Sequence, residues 1–393
     1  MEEGDDLLLQ LEQILENDEQ LDEIGFIHPT QFATLDTNSD SHSLQFNTHF
    51  FWNKDHKLAI SFEVLSPLYR AAVQKHSCAR RNYKPIVRSC SKEGSEEFLA
   101  SEIDLLRHSK ALVVLSPNFP TAWNSRKLIL SNHHDLTLFL NELQLSTLIL
   151  SYSPKSECAW SHRRWIIKLI AERFQNLEAI IRNESELVKK ICEKFKMNYR
   201  AWNHWCWLVS YMTTQQVLDE LSKLRKWAEL HVADNSCFHF RRRLLVRVLQ
   251  NSSTGKAKDA SFNEESHTCS FLEGELEWNE LLIRRYVGRE ALWMHRRFLS
   301  HCWINKFAND SKLNMFLDRE MQLVKTCLVS SPDEFNDILV QAYLAAAYFL
   351  WLSKAAPQIR YEIHGRSREA GDVTSLLVKI SPEKTLFWQS MGI

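Results

Sequence analysis

Apolar residues recur at three- and four-residue steps through most of the chain, in blocks at 99–115, 135–150, 177–195 and 214–232. That step is the period of one face of an α-helix, so each block predicts an amphipathic helix. Near the N-terminus Leu7, Leu8, Leu11, Ile14 and Leu15 share one helical face among acidic neighbours, which predicts a short amphipathic helix with a negative surface. Residues 36–53 carry no period and read as loop. The segment 251–270, NSSTGKAKDASFNEESHTCS, is polar and Ser-rich, and a flexible insertion is expected there, reaching to about residue 275 before the apolar period resumes. The most apolar stretch, Ala342 to Leu352, is shorter than the ~18 residues of a membrane span, so a buried helix is expected and no transmembrane segment.

A longer period lies over the short one. FPTAWNSRKLIL (119–130), ECAWSHRRWII (157–167), NYRAWNHWCWLV (198–209), NSCFHFRRRLLV (235–246) and REALWMHRRFL (289–299) place an aromatic at one register: Trp123, Trp160, Trp202, Phe238 and Trp293. The spacings are 37, 42, 36 and 55 residues, the last stretched by the polar segment. Two helices per period, repeated, is the signature of a helical solenoid in which each hairpin buries its apolar face on its neighbours. Asn118, Ser156, Asn198 and Asp234 precede the first four aromatics as candidate N-caps, which puts each aromatic early in its hairpin's second helix. Three residues after the aromatic stands Arg126, Arg163, Arg241 or Arg296, on the same helical face. A guanidinium there can stack on the indole or bond helix-end carbonyls of the preceding repeat, so these residues read as architecture. The third unit departs, with Trp205 in the arginine's place.

The expected layout is an acidic segment at 1–53, a repeat domain at 54–353 with five units over about 99–300 and a degenerate last hairpin at 311–353, and a tail at 354–393. The fold class is all-α, a right-handed alpha-alpha superhelix forming a crescent. Nine glycines in 393 residues agree, since the average is near ~7% and phosphate loops or Rossmann crossings need more.

The formal charge of −1 hides an asymmetry, because twelve Asp or Glu and no Lys or Arg fall in the first 53 residues. The rest of the chain holds 37 acidic against 48 basic residues. Such a body attracts phosphates, diphosphates, acidic protein or anionic lipid, and charge alone does not choose among them. Nine scattered cysteines without a C-x-x-C pair fit reduced thiols, and with an acidic rather than basic N-terminus they point to the cytoplasm. His162, His204 and His295 stand two after a tryptophan but have no companion at ligand spacing, so no metal is expected on this chain. The arginine runs come without an RNP motif, zinc finger or base-stacking platform, and nucleic-acid binding is not expected.

The unit resembles the repeat of the protein prenyltransferase alpha subunits, N-Y-x-x-W-x-x-R-R in its fullest form, with NYRAWNHW, CAWSHRRW and LWMHRRF as near matches. The resemblance is in particular to the alpha-subunit-repeat-containing relatives of the farnesyl and geranylgeranyl transferase alpha chains. It implies a scaffold for a separate beta subunit that bears zinc and the isoprenoid pocket. A prenyl diphosphate would be co-substrate, with magnesium or basic side chains offsetting the leaving charge. Geranylgeranyl in preference to farnesyl would pass to a cysteine near the C-terminus of a client protein, and the chain alone would be inactive. The farnesyl-type alpha chain carries Lys-Asn-Tyr ahead of its third tryptophan, where this chain has Met197, Asn198 and Tyr199, with Lys196 one position earlier. The resemblance therefore implies Tyr199 and Lys196 as catalytic candidates, with Asn198 and Arg200 near the diphosphate. The missing lysine and Trp205 leave a second reading open, a non-catalytic repeat adaptor for another partner such as a trafficking factor.

Overall fold

The computed structural model describes residues 2–36, 50–88, 96–175, 177–251, 261–307, 312–328 and 336–355, with 378 and 382–386. Most of the expected tail at 354–393 lies outside them. Fifteen α-helices are found among the described residues, and the all-α helical-repeat fold expected from the period is the fold observed. Two compact units, Met1–Trp205 and Cys206–Ile393, divide the chain directly after the residue that replaces the third arginine.

The first unit opens with α1 (Glu2–Asn17), whose Leu7, Leu8, Leu11, Ile14 and Leu15 are all buried, as the helical face predicts. It packs on α3 (Leu65–Arg88) and α4 (Glu96–Leu115). Its acidic side is neutralised there. Glu12 accepts a hydrogen bond from His108 at 2.6 Å, Glu16 one from Arg107 at 2.5 Å, and Lys110 Nζ donates to the Leu15 carbonyl at 2.6 Å. A cation at the last carbonyls of a helix meets groups that lack intrahelical partners.

Between α1 and α3 lies a small sheet that the apolar pattern did not predict. Strand β1 (Glu23–Ile27) runs parallel to β3 (Lys57–Ser61), and β2 (Phe51–Lys54), within or beside the stretch read as loop, runs antiparallel to it. The strands are only four or five residues long and β3 is buried over four of its five, so no alternation shows. Asp55 and His56 both have positive φ (51° and 61°), the condition for a two-residue type I′ hairpin between β2 and β3. Helix α2 (Pro29–Asp36) follows β1, and Phe26 meets Tyr152 edge-on at 5.5 Å, seating the sheet on the repeats.

The hairpins of this unit are α4 with α5 (Pro120–Leu130), α6 (Leu136–Tyr152) with α7 (Glu157–Arg173), and α8 (Glu178–Lys194) with α9, which runs Tyr199–Leu208 across the division. The second unit holds α10 (Thr214–Leu230) with α11 (Asn235–Asn251), α12 (Ser261–Arg285) with α13 (Glu290–Phe307), and α14 (Lys312–Leu328) with α15 (Asn336–Ala355). Of the insertion expected at 251–275, residues 252–260 lie outside the described residues, and the remainder is corrected by α12, which starts at Ser261 and buries Cys269, Leu272, Glu275 and Leu276. Sparse apolar anchors hid a helix that the neighbouring hairpins complete, because tertiary packing outweighs weak local pattern. The α12–α13 turn needs glycine: Gly288 has φ +72°, and a Cβ there would come within 2.9 Å of the Asp337 carbonyl.

Helix α15 is the one described helix long and apolar enough to cross a membrane. Here it closes a hairpin, with Ala342, Ala345, Ala346, Phe349 and Leu352 fully buried.

Candidate functional site

The signature residues converge on one buried joint, built anew at each hairpin. The Arg126 guanidinium is clamped from Nε (3.0 Å) and Nη2 by the two oxygens of Glu142, one hairpin on, while Nη1 donates to the Leu106 carbonyl (2.7 Å) and Ser109 Oγ (2.9 Å) of its own hairpin. Arg163 repeats this on Glu184 (2.5 and 2.6 Å), the Leu143 carbonyl (2.6 Å) and Ser146 Oγ (2.8 Å). In the second unit Arg241 clamps Glu275 and bonds the Leu221 carbonyl (2.9 Å), and Arg296 clamps Glu320 and bonds the Leu276 carbonyl (2.5 Å). Two-pronged guanidinium–carboxylate bonding suits a buried site because both charges and most donors are satisfied together. The carbonyls lie within the first helix of the same hairpin, which corrects the expectation of helix-end carbonyls in the preceding repeat. The stacking partner also differs, since the guanidinium of Arg241 lies over Trp278 at 4.4 Å rather than over its own repeat aromatic.

The histidines complete the joint. His162 Nε2 donates to Glu142 at 2.9 Å and His204 Nε2 to Glu184 at 2.7 Å, with His295 3.9 Å from Glu275, an ion-pair distance too long for a hydrogen bond. Each ring also lies against the preceding hairpin's aromatic: Trp123 and His162 at 4.6 Å, Trp160 and His204 at 4.8 Å, Phe238 and His295 at 5.3 Å. In the last hairpin Tyr348 takes the histidine's place, donating to Glu320 at 2.7 Å and facing Trp293 at 5.5 Å. Burial opposes ionisation of Glu142, Glu184 and Glu275, yet the adjacent Arg and His groups outweigh it and hold all three at about 2. Burial lowers His162 and His204 and brings His295 to about 4, so the rings are neutral, and His162 and His204 donate through Nε2. Among the described residues no three His, Cys, Asp or Glu side chains are grouped to hold a metal ion.

At the third register Trp205 replaces arginine. Its indole donates to Ser185 Oγ at 2.8 Å and stacks on Trp202 at 5.4 Å, so its one donor is used within its own hairpin.

Helix starts are tied across hairpins as well. Ser156 accepts from the Ala159 amide (3.2 Å) and reaches back to the Pro117 carbonyl (3.1 Å) and Asn118 Oδ1 (2.9 Å). Asn198 accepts from the Ala201 amide (3.3 Å) and donates to the Pro154 carbonyl (2.8 Å), and Asp234 caps α11 through the Ser236 and Cys237 amides. The indoles of Trp123 and Trp160 donate to the same Pro117 and Pro154 carbonyls at 2.9 Å. Asn118 is corrected: α5 begins after Phe119 with no side-chain cap, and Asn118 instead receives Ser156.

One corner of the first unit departs from this inward-facing design. Between α8 and α9, Met197 takes φ +56°, a left-handed conformation uncommon outside glycine, and is 90% exposed. Lys196 is exposed beside it, and Tyr199 is 62% exposed at the first turn of α9. Asn198, only 1% exposed, turns into the joint beneath them, so it fixes the corner rather than lining its outer surface. Arg200 pairs with Glu157 and lies over the Tyr199 ring at 5.2 Å, holding that ring in place. The corner thus offers an ammonium, a phenol and the amides of a helix N-terminus on a braced base, donors suited to an anion. The glutamates that organise the joints were missed in the sequence, and the signal that could find three of the four is an acid followed by an apolar residue within the first helix, as at Glu142, Glu275 and Glu320, while Glu184 is followed by Ser185.

Residues 139–170, 181–212 and 217–248 match the family described as protein prenyltransferase alpha subunit repeat, one match for each of the hairpins α6–α7, α8–α9 and α10–α11. Three of its hairpins thus carry this repeat, and the chain is similar to proteins built on it. It is 30% identical over 237 residues to the human protein prenyltransferase alpha subunit repeat-containing protein 1, covering 50% of this chain and 58% of that protein. It is 29% identical over 235 residues to the 1-B protein of Xenopus laevis, covering 49% and 54%. It is 24% identical over 182 residues to the geranylgeranyl transferase type-2 subunit alpha of Saccharomyces cerevisiae, covering 44% and 55%. The matches span a little over half the length of these relatives. Arg126 and Arg296, outside the three matched stretches, make the same bonds as Arg163 and Arg241, so the joint extends beyond them.

Proposed function

We propose that this chain is the alpha subunit of a cytoplasmic heterodimeric protein prenyltransferase, pairing with a beta subunit and inactive alone. The observation that carries the reading is the braced corner at Lys196–Arg200, set within one of the matched repeats and presenting donors outward while the signature residues around it face inward. The name of the yeast relative favours a geranylgeranyl group over farnesyl. A client thiolate near its C-terminus would displace diphosphate from the isoprenoid, forming a carbon–sulfur bond as the carbon–oxygen bond breaks. Zinc held by the partner would supply the thiolate, and magnesium or basic groups would offset the leaving charge. On this chain, Lys196 and the Tyr199 hydroxyl would donate to the departing diphosphate, and Arg200 and Asn198 would keep Tyr199 and the α9 amides in position.

Co-expression with a prenyltransferase beta subunit and transfer of label from geranylgeranyl diphosphate to cysteine-tailed proteins tests this. A stoichiometric complex that transfers label is expected. A stable complex with a different partner and no transfer would favour the adaptor reading, for which Met197 in place of the family's lysine is the supporting observation.

A further inference from the structure

The second helices of the hairpins share an outer face as regular as their buried one. Positions one, four and five after the repeat aromatic are the residues that α5, α7, α9, α11 and α13 leave exposed or half-buried over their middle turns, Cys206 excepted. Of these fifteen residues none is Asp or Glu, and five are Lys or Arg. The outer surface of a first helix such as α8 is different, mixing Glu178, Arg182, Lys190 and Glu193. Solvated faces ordinarily mix both signs, as α8 does.

The fourth position carries Lys127 on α5 and Arg164 on α7 in the first unit, and Arg242 on α11 and Arg297 on α13 in the second. All four are half-buried, and burial lowers the pKa of each. Arg164 has Glu157 at 3.3 Å, whereas the buried Nε of Arg297 has no hydrogen-bond partner. The fifth position supplies Leu128, Trp165, Trp207 and Phe298. Lys127 Nζ lies 5.8 Å over the Trp165 ring, joining the α5 and α7 faces into one patch of cation and aromatic.

We propose that this face, on each unit, docks a partner protein whose surface offers carboxylates between apolar recesses. The inference rests on the reading of the chain as one subunit of a heterodimer and specifies the chemistry of the partner. Carboxylates would restore what burial costs the cations, and Trp165, Leu128 and Phe298 would fill recesses in the manner of interface anchors. A nucleic acid is the lesser fit, because a phosphate backbone is met by protruding cations, and of the five here only Arg243 is exposed, the other four being half-buried.

Two pairs of reversals test it in the full chain: Lys127→Glu with Arg164→Glu, and Arg242→Glu with Arg297→Glu. Lys190→Glu on α8 and Lys226→Glu on α10 are the controls, with circular dichroism confirming fold. Against a purified prenyltransferase beta subunit each pair is expected to weaken binding by about 100-fold and each control by less than about threefold. The chain alone should also bind a fluorescent peptide of alternating Glu-Glu-Phe at least about tenfold more tightly than its Gln-Gln-Phe counterpart, and lose that preference in both pairs. Peptide binding through the face without subunit binding would overturn the enzyme reading and leave the face standing. Equal loss in controls and pairs, no binding of either probe, or face-dependent binding of a labelled single-stranded RNA or of phosphatidylserine vesicles in place of the acidic peptide would overturn the proposal.

Discussion

The starts of α7 and α9 are built alike and used differently. Ser156 and Asn198 each cap their helix and each bond a proline carbonyl of the hairpin before, so the two corners share one internal brace. Outside that brace α7 begins with Glu157, which engages Arg164 and Arg200, while α9 begins with an exposed Tyr199 beside the left-handed Met197. What differs is the outer layer alone. A repeat protein can therefore keep its joints and still make one corner chemically distinct, because the joints are closed by buried partners that the outer residues do not touch.

Breaking a joint should have the largest effect. Arg163→Met leaves Glu184 ionised and buried without its guanidinium, and is expected to cost about 3–5 kcal/mol in chemical denaturation of the first unit. Acid should reach the three histidine-bearing joints together. Glu142, Glu184 and Glu275 lie at about 2 against an ordinary 4.5, and His162, His204 and His295 below an ordinary 6.5, so the unfolded chain binds protons more readily than the folded one. Stability should be flat above pH 6.5, fall toward pH 4 as the histidines' unfolded forms take protons, and fall again between pH 4.5 and 2 through the glutamates. A thermal melting series from pH 8 to 3 reads both limbs, and rising stability on acidification would contradict the neutral-histidine joint. Loss of one brace is smaller: Ser156→Ala should cost about 1 kcal/mol and leave α9 unaffected by amide exchange. Tyr199→Phe is expected to change melting by less than about 0.5 kcal/mol, as exposed substitutions do, while slowing prenyl transfer in a reconstituted complex. An unchanged rate would remove Tyr199 from the reaction.

The half of each joint that is local in sequence was legible. An aromatic and an arginine three apart share a face, and four arginines at that register take the same bonds. Their glutamates follow at 16, 21, 34 and 24 residues, because loop length between hairpins varies, and no fixed spacing marks them. The histidines looked solitary for a related reason: His162 and His204 find their glutamates 20 residues back, on the other helix of the hairpin. Tyr348 escaped notice because Ala346 stands where the repeat would put an aromatic. The sheet was invisible since β1 pairs with a strand whose register partner, Lys57, is distant from Glu23 in sequence. At the corner the sequence shows which residues come together, but not that Asn198 would turn inward and Tyr199 outward, which depends on the left-handed step at Met197.

The most direct test of the joint is a double-mutant cycle on Arg163→Met and Glu184→Leu, read from the opening free energy of α8 amides by native-state hydrogen exchange. Coupling of about 2 kcal/mol or more is expected, with the pair less damaging together than either change alone predicts. Additivity within about 0.5 kcal/mol would show that the arginine and glutamate do not act as one unit, and would contradict the account of how these hairpins are held.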